Sequence, residues 1–358
     1  MKCTYLLLVF VVAFYSSNAQ ITITASDMPV VNDTLRYSMA NPVGFSINLG
    51  DSGTNKTWHY DSLKAILQAV DTYKTAKSVN ASYALTISSS AYGYKIGDSI
   101  PGLSASGLPV TVSDIYTFFN IKSSPSRYIA EAFAANVNSL PIPANYTNPD
   151  VWYYFPLTYP HASDSTNYSL TVSLPGLGSL KQKGYRVTRV DSWGSITTPY
   201  YTTAVNCIRV RSEVHEIDSL NIALLGTSVA IPRNNVEYKW LANGEHYPAL
   251  WVTTNLTTGK LSSISYKDIA RHGLLSVTNT NTVLQVIKAY PNPAINGMVH
   301  LDIPVGWNNF EVVLFDIRSK QVAVFHNEHD LNIQSLSHGT YIAYISCGQQ
   351  AAFVQIIK

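Results

Sequence analysis

The residues with the most evident chemical potential in this 358-residue chain are the carboxylates and histidines of its middle region. Asp150, Asp164, Asp191, Glu213 and Glu245 are candidates for a sugar-hydrolysing pair. Such pairs are defined by a separation of about 5 to 10 Å in space, not by spacing along the chain. Each of the five also fits a turn or a solvated strand edge. His215-Glu216 begins like a zinc-protease helix. No second histidine follows one turn later, and zinc requires two ligands on one helical face. Gly176-Leu177-Gly178-Ser179-Leu180 has its serine out of place for a nucleophile elbow. His161 and Asp164 are close enough to hydrogen-bond and read as a polar turn. No catalytic residue, metal ligand or cofactor is assigned from these patterns.

Aromatic residues are the second chemical feature. Trp152, Tyr153, Tyr154 and Phe155 run consecutively after Asn148-Pro149-Asp150, and Trp193 stands alone in a turn-rich stretch. In an unbroken aromatic run on a strand about half the rings face away from the core. Flat apolar faces turned outward can stack on the C–H face of a sugar, whereas rings turned inward are ordinary core. Trp152, Tyr153, Tyr154 and Trp193 are therefore the candidate ligand-binding residues.

The elements that must carry these residues are mainly strands. Residues 168–172, 184–187 and 207–211 are short, rich in β formers and bounded by turn residues. Residues 21–24 and 83–87 show the same alternation. Asn243-Gly244 between residues 236–241 and 249–253 predicts a hairpin. Residues 61–77 are the one helix candidate, because Leu63, Ile66, Leu67, Val70 and Tyr73 fall on one helical face and Asp61 can cap it.

The last seventy residues read as a separate small domain. Pro291 and Pro293 stiffen the entry around Asn292. Val299, Leu301 and Ile303, then Val312 and Leu314, then Tyr341, Ala343 and Ile345, then Phe353, Gln355 and Ile357 mark inward faces of successive strands. Gly339 is read as a tight-turn residue. About seven short strands imply a small sandwich, immunoglobulin-like in outline. The fold class is thus mainly β: a β-rich central domain with one candidate helix, followed by a small immunoglobulin-like β-sandwich. The expected division is 1–19, 20–285 and 286–358.

The opening Tyr290-Pro291-Asn292-Pro293-Ala294, the strand end at Phe315-Asp316, the Gly339-Thr340-Tyr341 near the close and the apolar tail ending in Lys358 occur in order. This pattern resembles the C-terminal sorting domain of the type IX secretion system of Bacteroidota. Ser319-Lys320 stands where that family carries a Gly-Lys-like turn. The resemblance implies export to the outer cell surface or medium after passage through the periplasm. It also implies the type IX machinery as partner, and attachment to a surface glycolipid. The central region resembles an uncharacterised region of other such exported proteins. Asp33-Thr34, Asp61-Ser62, Asp98-Ser99 and Asp218-Ser219, each followed by an aliphatic residue, look like the O-glycosylation motif of exported Bacteroidota proteins. They nominate Thr34, Ser62, Ser99 and Ser219.

The other end of the chain agrees. Lys2, an apolar run over residues 5–15 and Ser17-Asn18-Ala19 read as a signal peptide cleaved after Ala19. The run is shorter than the ~20 residues that span a bilayer, so no transmembrane segment is expected after its removal. Charged residues make up 13% and the net charge is +2, which gives no electrostatic case for nucleic acid. Cys207 and Cys347 remain after cleavage, as free thiols or as one disulfide. The reading is a secreted or cell-surface protein whose central domain is non-catalytic, structural or adhesive. The alternatives are a carbohydrate-binding protein that uses exposed aromatics, or a hydrolase with an unrecognised site.

Overall fold

The computed structural model describes residues 20–42, 45–98, 111–174, 178–222, 227–271, 275–277, 287–316, 321–347 and 350–358. The expected signal segment, Ser99 and Ser319-Lys320 lie outside them. The chain divides into two compact units, Met1–Ala270 and Arg271–Lys358.

The first unit runs β1 (Thr34–Ala40), β2 (Gly53–His59), β3 (Ala65–Thr72), β4 (Lys74–Thr75), α1 (Ala76–Val79), β5 (Tyr92–Gly97), β6 (Val112–Ser123), β7 (Ser126–Val137), β8 (Leu140–Tyr154), β9 (Asp164–Leu174), β10 (Gly178–Thr197), β11 (Val205–Ile222), β12 (Thr227–Leu241), β13 (Leu250–Asn255) and β14 (Leu261–Lys267). Among the strands of this unit, neighbours pair in the order β3-β1-β14-β13-β12-β11-β10-β9-β8-β7-β6-β5-β4, with β2 beside β10 off that path. The two ends of that path are consecutive in the chain, since only Tyr73 separates β3 from β4. β4 pairs with β5 through Lys74↔Gly93 and Thr75↔Tyr92. The antiparallel path therefore returns to its start, and the sheet closes on itself. Closure leaves few free edges, the usual protection of an all-β protein against edge pairing.

One apolar cluster fills the inside of this closed sheet and draws on β1, β5 to β8 and β10 to β12, including Tyr92, Phe119, Tyr128, Tyr153, Val190, Ile208, Val210 and Leu241. A second cluster lies on the opposite face of β11 to β14 around Trp58, Trp240, Leu250, Ile264 and Tyr266. It is covered by β2, which pairs in parallel with the far end of β10. A Cβ at Gly194 would lie 1.8 Å from the Lys56 carbonyl oxygen, so only glycine lets β2 approach there.

Period-two patterning accounts for most strands. In β9, Tyr168, Leu170 and Val172 are buried while their neighbours are not. The hairpin at Asn243-Gly244 forms, with Trp240 opposite Leu250 and Gly244 at φ 69°. Three expectations for the first unit fail. Residues 61–77 do not form a long helix: β3 occupies Ala65–Thr72, and the helix is only α1. Pairing of β3 with β1 from Thr34↔Thr72 to Ala40↔Ala65 satisfies its backbone. Its most buried residues are Gln68 and Asp71, whereas Ile66 is exposed. Helix propensity is a weak term beside such pairing. Residues 83–87 are not a strand; Ala81–Leu85 is a 3₁₀ turn begun by the Asn80 side chain accepting from Ser82 N–H at 2.9 Å. Residues 21–24 make a single bridge, Ile23↔Leu157. Asp27 Oδ2 then takes the Thr24 N–H at 2.7 Å and turns the chain.

The second unit contains β15 (Leu275–Val277), β16 (Ala289–Ile295), β17 (Met298–Leu301), β18 (Glu311–Asp316), β19 (Gln321–His326), β20 (Asp330–Asn332), β21 (Thr340–Cys347) and β22 (Gln350–Ile357). Two small sheets, β16-β17-β20 and β19-β18-β21-β22, face each other across Val299, Leu301, Val312, Leu314, Leu331, Ala343 and Ile345. The final strand is shifted by one from the expected face. Tyr341, Ala343 and Ile345 point inward, but they stand opposite Ile356, Val354 and Ala352. Directly opposed residues share a face, so Gln355 and Ile357 point outward. Cys207 and Cys347 are free thiols.

Candidate functional site

The inside of the first unit holds a ring of buried polar groups. Asp150 and Trp152 sit two apart on β8, Arg186 on β10, and Glu237 and Lys239 two apart on β12, all with side chains turned inward by strand alternation. Lys239 Nζ donates to Glu237 Oε2 at 2.9 Å. Arg186 donates to the same Oε2 at 2.9 Å and to both oxygens of Asp150 at 2.9 and 2.8 Å. Trp152 Nε1–H donates to Asp150 Oδ2 at 3.1 Å. The ring closes because the Lys239 ammonium lies 3.9 Å from the centre of the Trp152 indole. It lies 4.1 Å from the Trp251 indole on its other side.

Two cations and two carboxylates balance inside this ring. Arg186 is 5% exposed and Lys239 2%; burying either without its partners costs several kcal/mol. Burial, with a contribution from Arg186, pulls the Lys239 ammonium down to about 8 against the opposing pull of Glu237. Burial alone favours a neutral Glu237, but the charges of Lys239 and Arg186 outweigh it and hold its carboxyl at about 2.

Lys239, Trp152 and Trp251 form one wall of a cavity of about 50 Å³ that is partly open to solvent. Tyr73, Tyr94, Phe119, Tyr128, Tyr153 and Tyr247 complete its aromatic lining, and Asp27, Asp71 and His246 add polar groups. Burial lifts the Asp71 carboxyl to about 7, a hydrogen bond with Tyr37 offsetting part of the effect. Asp27 stays ionised: burial opposes its charge, but hydrogen bonds from Thr24 and Gly244 prevail and lower its pKa. His246 Nδ1 is bonded to Asp33 at 2.7 Å. The volume is well below the ~300–1,000 Å³ of pockets that enclose a whole ligand, so this cavity has room for no more than a small group.

The expected outward aromatic platform does not form. Tyr153 is buried, and Trp152, Tyr154 and Phe155 are half-buried. Trp152 and Tyr153 face the cavity, while Trp193 packs against the core beside it. Sheet closure turns rings inward that an open sheet would leave on its surface. The carboxylates weighed for hydrolysis are each engaged: Asp150 with Arg186, Asp164 with His161, Asp191 with Arg209, Glu213 with Arg211 and Glu245 with Lys267. His215 stacks on Tyr185, ring centres 4.3 Å apart, from mid-strand in β11. Thr34 and Ser62 are exposed and Ser219 half-buried. Sequence reading missed the polar ring. Its signal is Glu237-x-Lys239-x-Leu241, two charges that alternate with the apolar Val236, Tyr238 and Trp240 at the end of β12.

The motif residues of the closing unit tie its last strand into place. Asn292 Nδ2 donates to the Gln355 carbonyl at 2.6 Å and its Oδ1 accepts from Ile357 N–H at 2.8 Å, so the side chain substitutes for a strand partner. Pro291 and Pro293 flank it within β16, each with a cis bond to the preceding residue, Tyr290 and Asn292. The Tyr341 hydroxyl donates to the Ser337 carbonyl at 2.6 Å. Asp316 ends β18 opposite Tyr341. Gly339 exchanges two backbone bonds with Lys358 at 3.0 and 2.9 Å. No positive φ marks Gly339, and space is open where a Cβ would stand, so the turn does not demand glycine. Lys358 Nζ donates to the carbonyls of Gln334, at 2.6 Å, and Leu336.

No curated protein and no solved structure matches the chain. Residues 288–358 match the family model described as the secretion system C-terminal sorting domain. The closing sandwich is thus similar to that domain over residues 288–358, and the match supports export through the type IX secretion system to the cell surface or extracellular space.

Proposed function

We propose that this is a secreted or cell-surface adhesive protein, exported through its closing domain, whose first unit is a non-catalytic module that holds the end of a neutral glycan. The observation that carries the binding reading is the aromatic cavity with an internally balanced polar ring in its wall. Aromatic faces suit the C–H face of a sugar. The Asp71 carboxyl and Tyr hydroxyls suit its hydroxyl groups. Balanced charge in the ring favours a neutral guest over an ionic one. Upstream, the reading includes a signal segment cleaved after Ala19, passage through the periplasm of a Bacteroidota-type cell, and anchoring on a surface glycolipid. It also includes glycosylation of the exposed Thr34 and Ser62.

A glycan array of the full chain without its signal segment, followed by titration of tryptophan fluorescence with methyl glycosides, tests the module. Binding that quenches the signal and is lost in Trp251→Ala supports it. Absence of any glycan ligand, or binding indifferent to Trp251→Ala, overturns it.

A further inference from the structure

We infer that Lys239 is a carbonyl-condensing amine: it captures a small aldehyde, such as the open-chain end of a reducing sugar, as a reversible imine within the aromatic cavity. The inference rests on the reading that this cavity admits the end of a sugar. It deepens that reading by naming the chemical class that would be held covalently.

Three features carry it. Lys239 is 2% exposed yet contributes to the cavity wall, so an almost fully buried side chain borders an opening to solvent. The Trp152 and Trp251 rings flank Nζ at 3.9 and 4.1 Å and fix its position. Glu237 Oε2 accepts a hydrogen bond from Nζ at 2.9 Å and holds it in place, and the Arg186 guanidinium on the same oxygen disfavours a second positive charge beside it. A lysine desolvated next to another cation is the arrangement that activates this amine as a nucleophile.

The chemistry balances without any further reactant. The free amine attacks the carbonyl carbon, forming a C–N bond while the C=O π pair moves to oxygen. A proton passes from the nitrogen to that oxygen through solvent at the cavity mouth. Loss of water from the carbinolamine gives the imine, and hydrolysis reverses each step. With its pKa near 8, the amine is the free base in about one molecule in ten at pH 7. An ordinary lysine is free in about one in 3,000.

The test treats the full chain without its signal segment with limiting glycolaldehyde and sodium cyanoborohydride, which reduces an imine to a stable hydroxyethyl amine. Peptide mapping then compares every lysine. Lys239 is expected to react at least tenfold faster than the average exposed lysine, with a rate that rises from pH 6 and levels off above pH 8 to 9. Lys239→Arg, which retains the positive charge but forms no imine, is expected to abolish the adduct at that position alone. Modification of exposed lysines with Lys239 unmodified, or no faster than they are, overturns the inference in the wild-type protein without recourse to any variant. Methyl glycosides, which have no free aldehyde, separate the two readings. If they bind while Lys239 forms no adduct, the inference fails and glycan binding stands. If Lys239 forms the adduct while they do not bind, the inference stands and the glycan reading fails.

Discussion

Replacing Asp71 with asparagine is expected to stabilise the first unit at neutral and alkaline pH and to leave it unchanged in acid. Asp71 is 8% exposed, and burial moves its carboxyl from an ordinary 3.8 to about 7. Between those two values the folded chain holds a proton that the unfolded chain releases. Stability from this group is therefore fully present below pH 3.8 and is lost as pH rises through 7. The interval corresponds to about 4 kcal/mol. Asparagine keeps an oxygen for the Tyr37 hydroxyl and carries no charge, so it removes the slope. Urea denaturation of wild type and Asp71→Asn, followed by tryptophan fluorescence at intervals from pH 4 to 8, reads the difference directly. The variant is expected to match wild type near pH 4 and to exceed it by at least half of that interval at pH 8. Parallel curves across the range, or a less stable variant at pH 8, would refute the reasoning.

Breaking the polar ring from one side should be costly. Arg186→Met leaves Asp150 buried without its cation and is expected to lose about 3–5 kcal/mol. Asp150→Leu in the same chain is expected to restore at least half, as read by a double-mutant cycle in urea; equal losses in the single and double variants would contradict the ring. In the closing unit, Asn292→Ala removes two hydrogen bonds to β22 and is expected to cost about 1–2 kcal/mol. A lower thermal midpoint for the transition of that unit checks this, and an unchanged midpoint would show that the asparagine holds nothing in place.

Local patterning made much of the fold legible. Alternation in β9 to β12 and the Asn243-Gly244 turn were visible because strand pairing there is between chain neighbours. What local patterning could not reveal was the meeting of β1 with β14 on the way round the sheet, because the pairing Tyr37↔Lys267 joins strands from opposite ends of the first unit and depends on where every intervening strand goes. That closure decided the site. It encloses Trp152 and Tyr153, while the successive pairings of β8 to β12 set Arg186 of β10 between Asp150 and Glu237. The helix read over residues 61–77 failed for a related reason: an apolar spacing compatible with 3.6 residues per turn was outweighed by the backbone partners that β1 offered to β3. The shifted face of β22 shows how register follows pairing, since Ala343 opposite Val354 fixes which residues face the core. The sorting motif was readable from residue types because Asn292, Tyr341 and Lys358 act through specific polar bonds within one small unit.

Export through the closing sandwich is most directly tested by fractionating cells that express the full chain or a chain lacking residues 288–358, in a host with a working type IX system. The full chain is expected on the outer surface or in the medium, and the shortened chain, still folded by protease resistance of its first unit, inside the outer membrane. An unchanged outer location for the shortened chain would contradict the account.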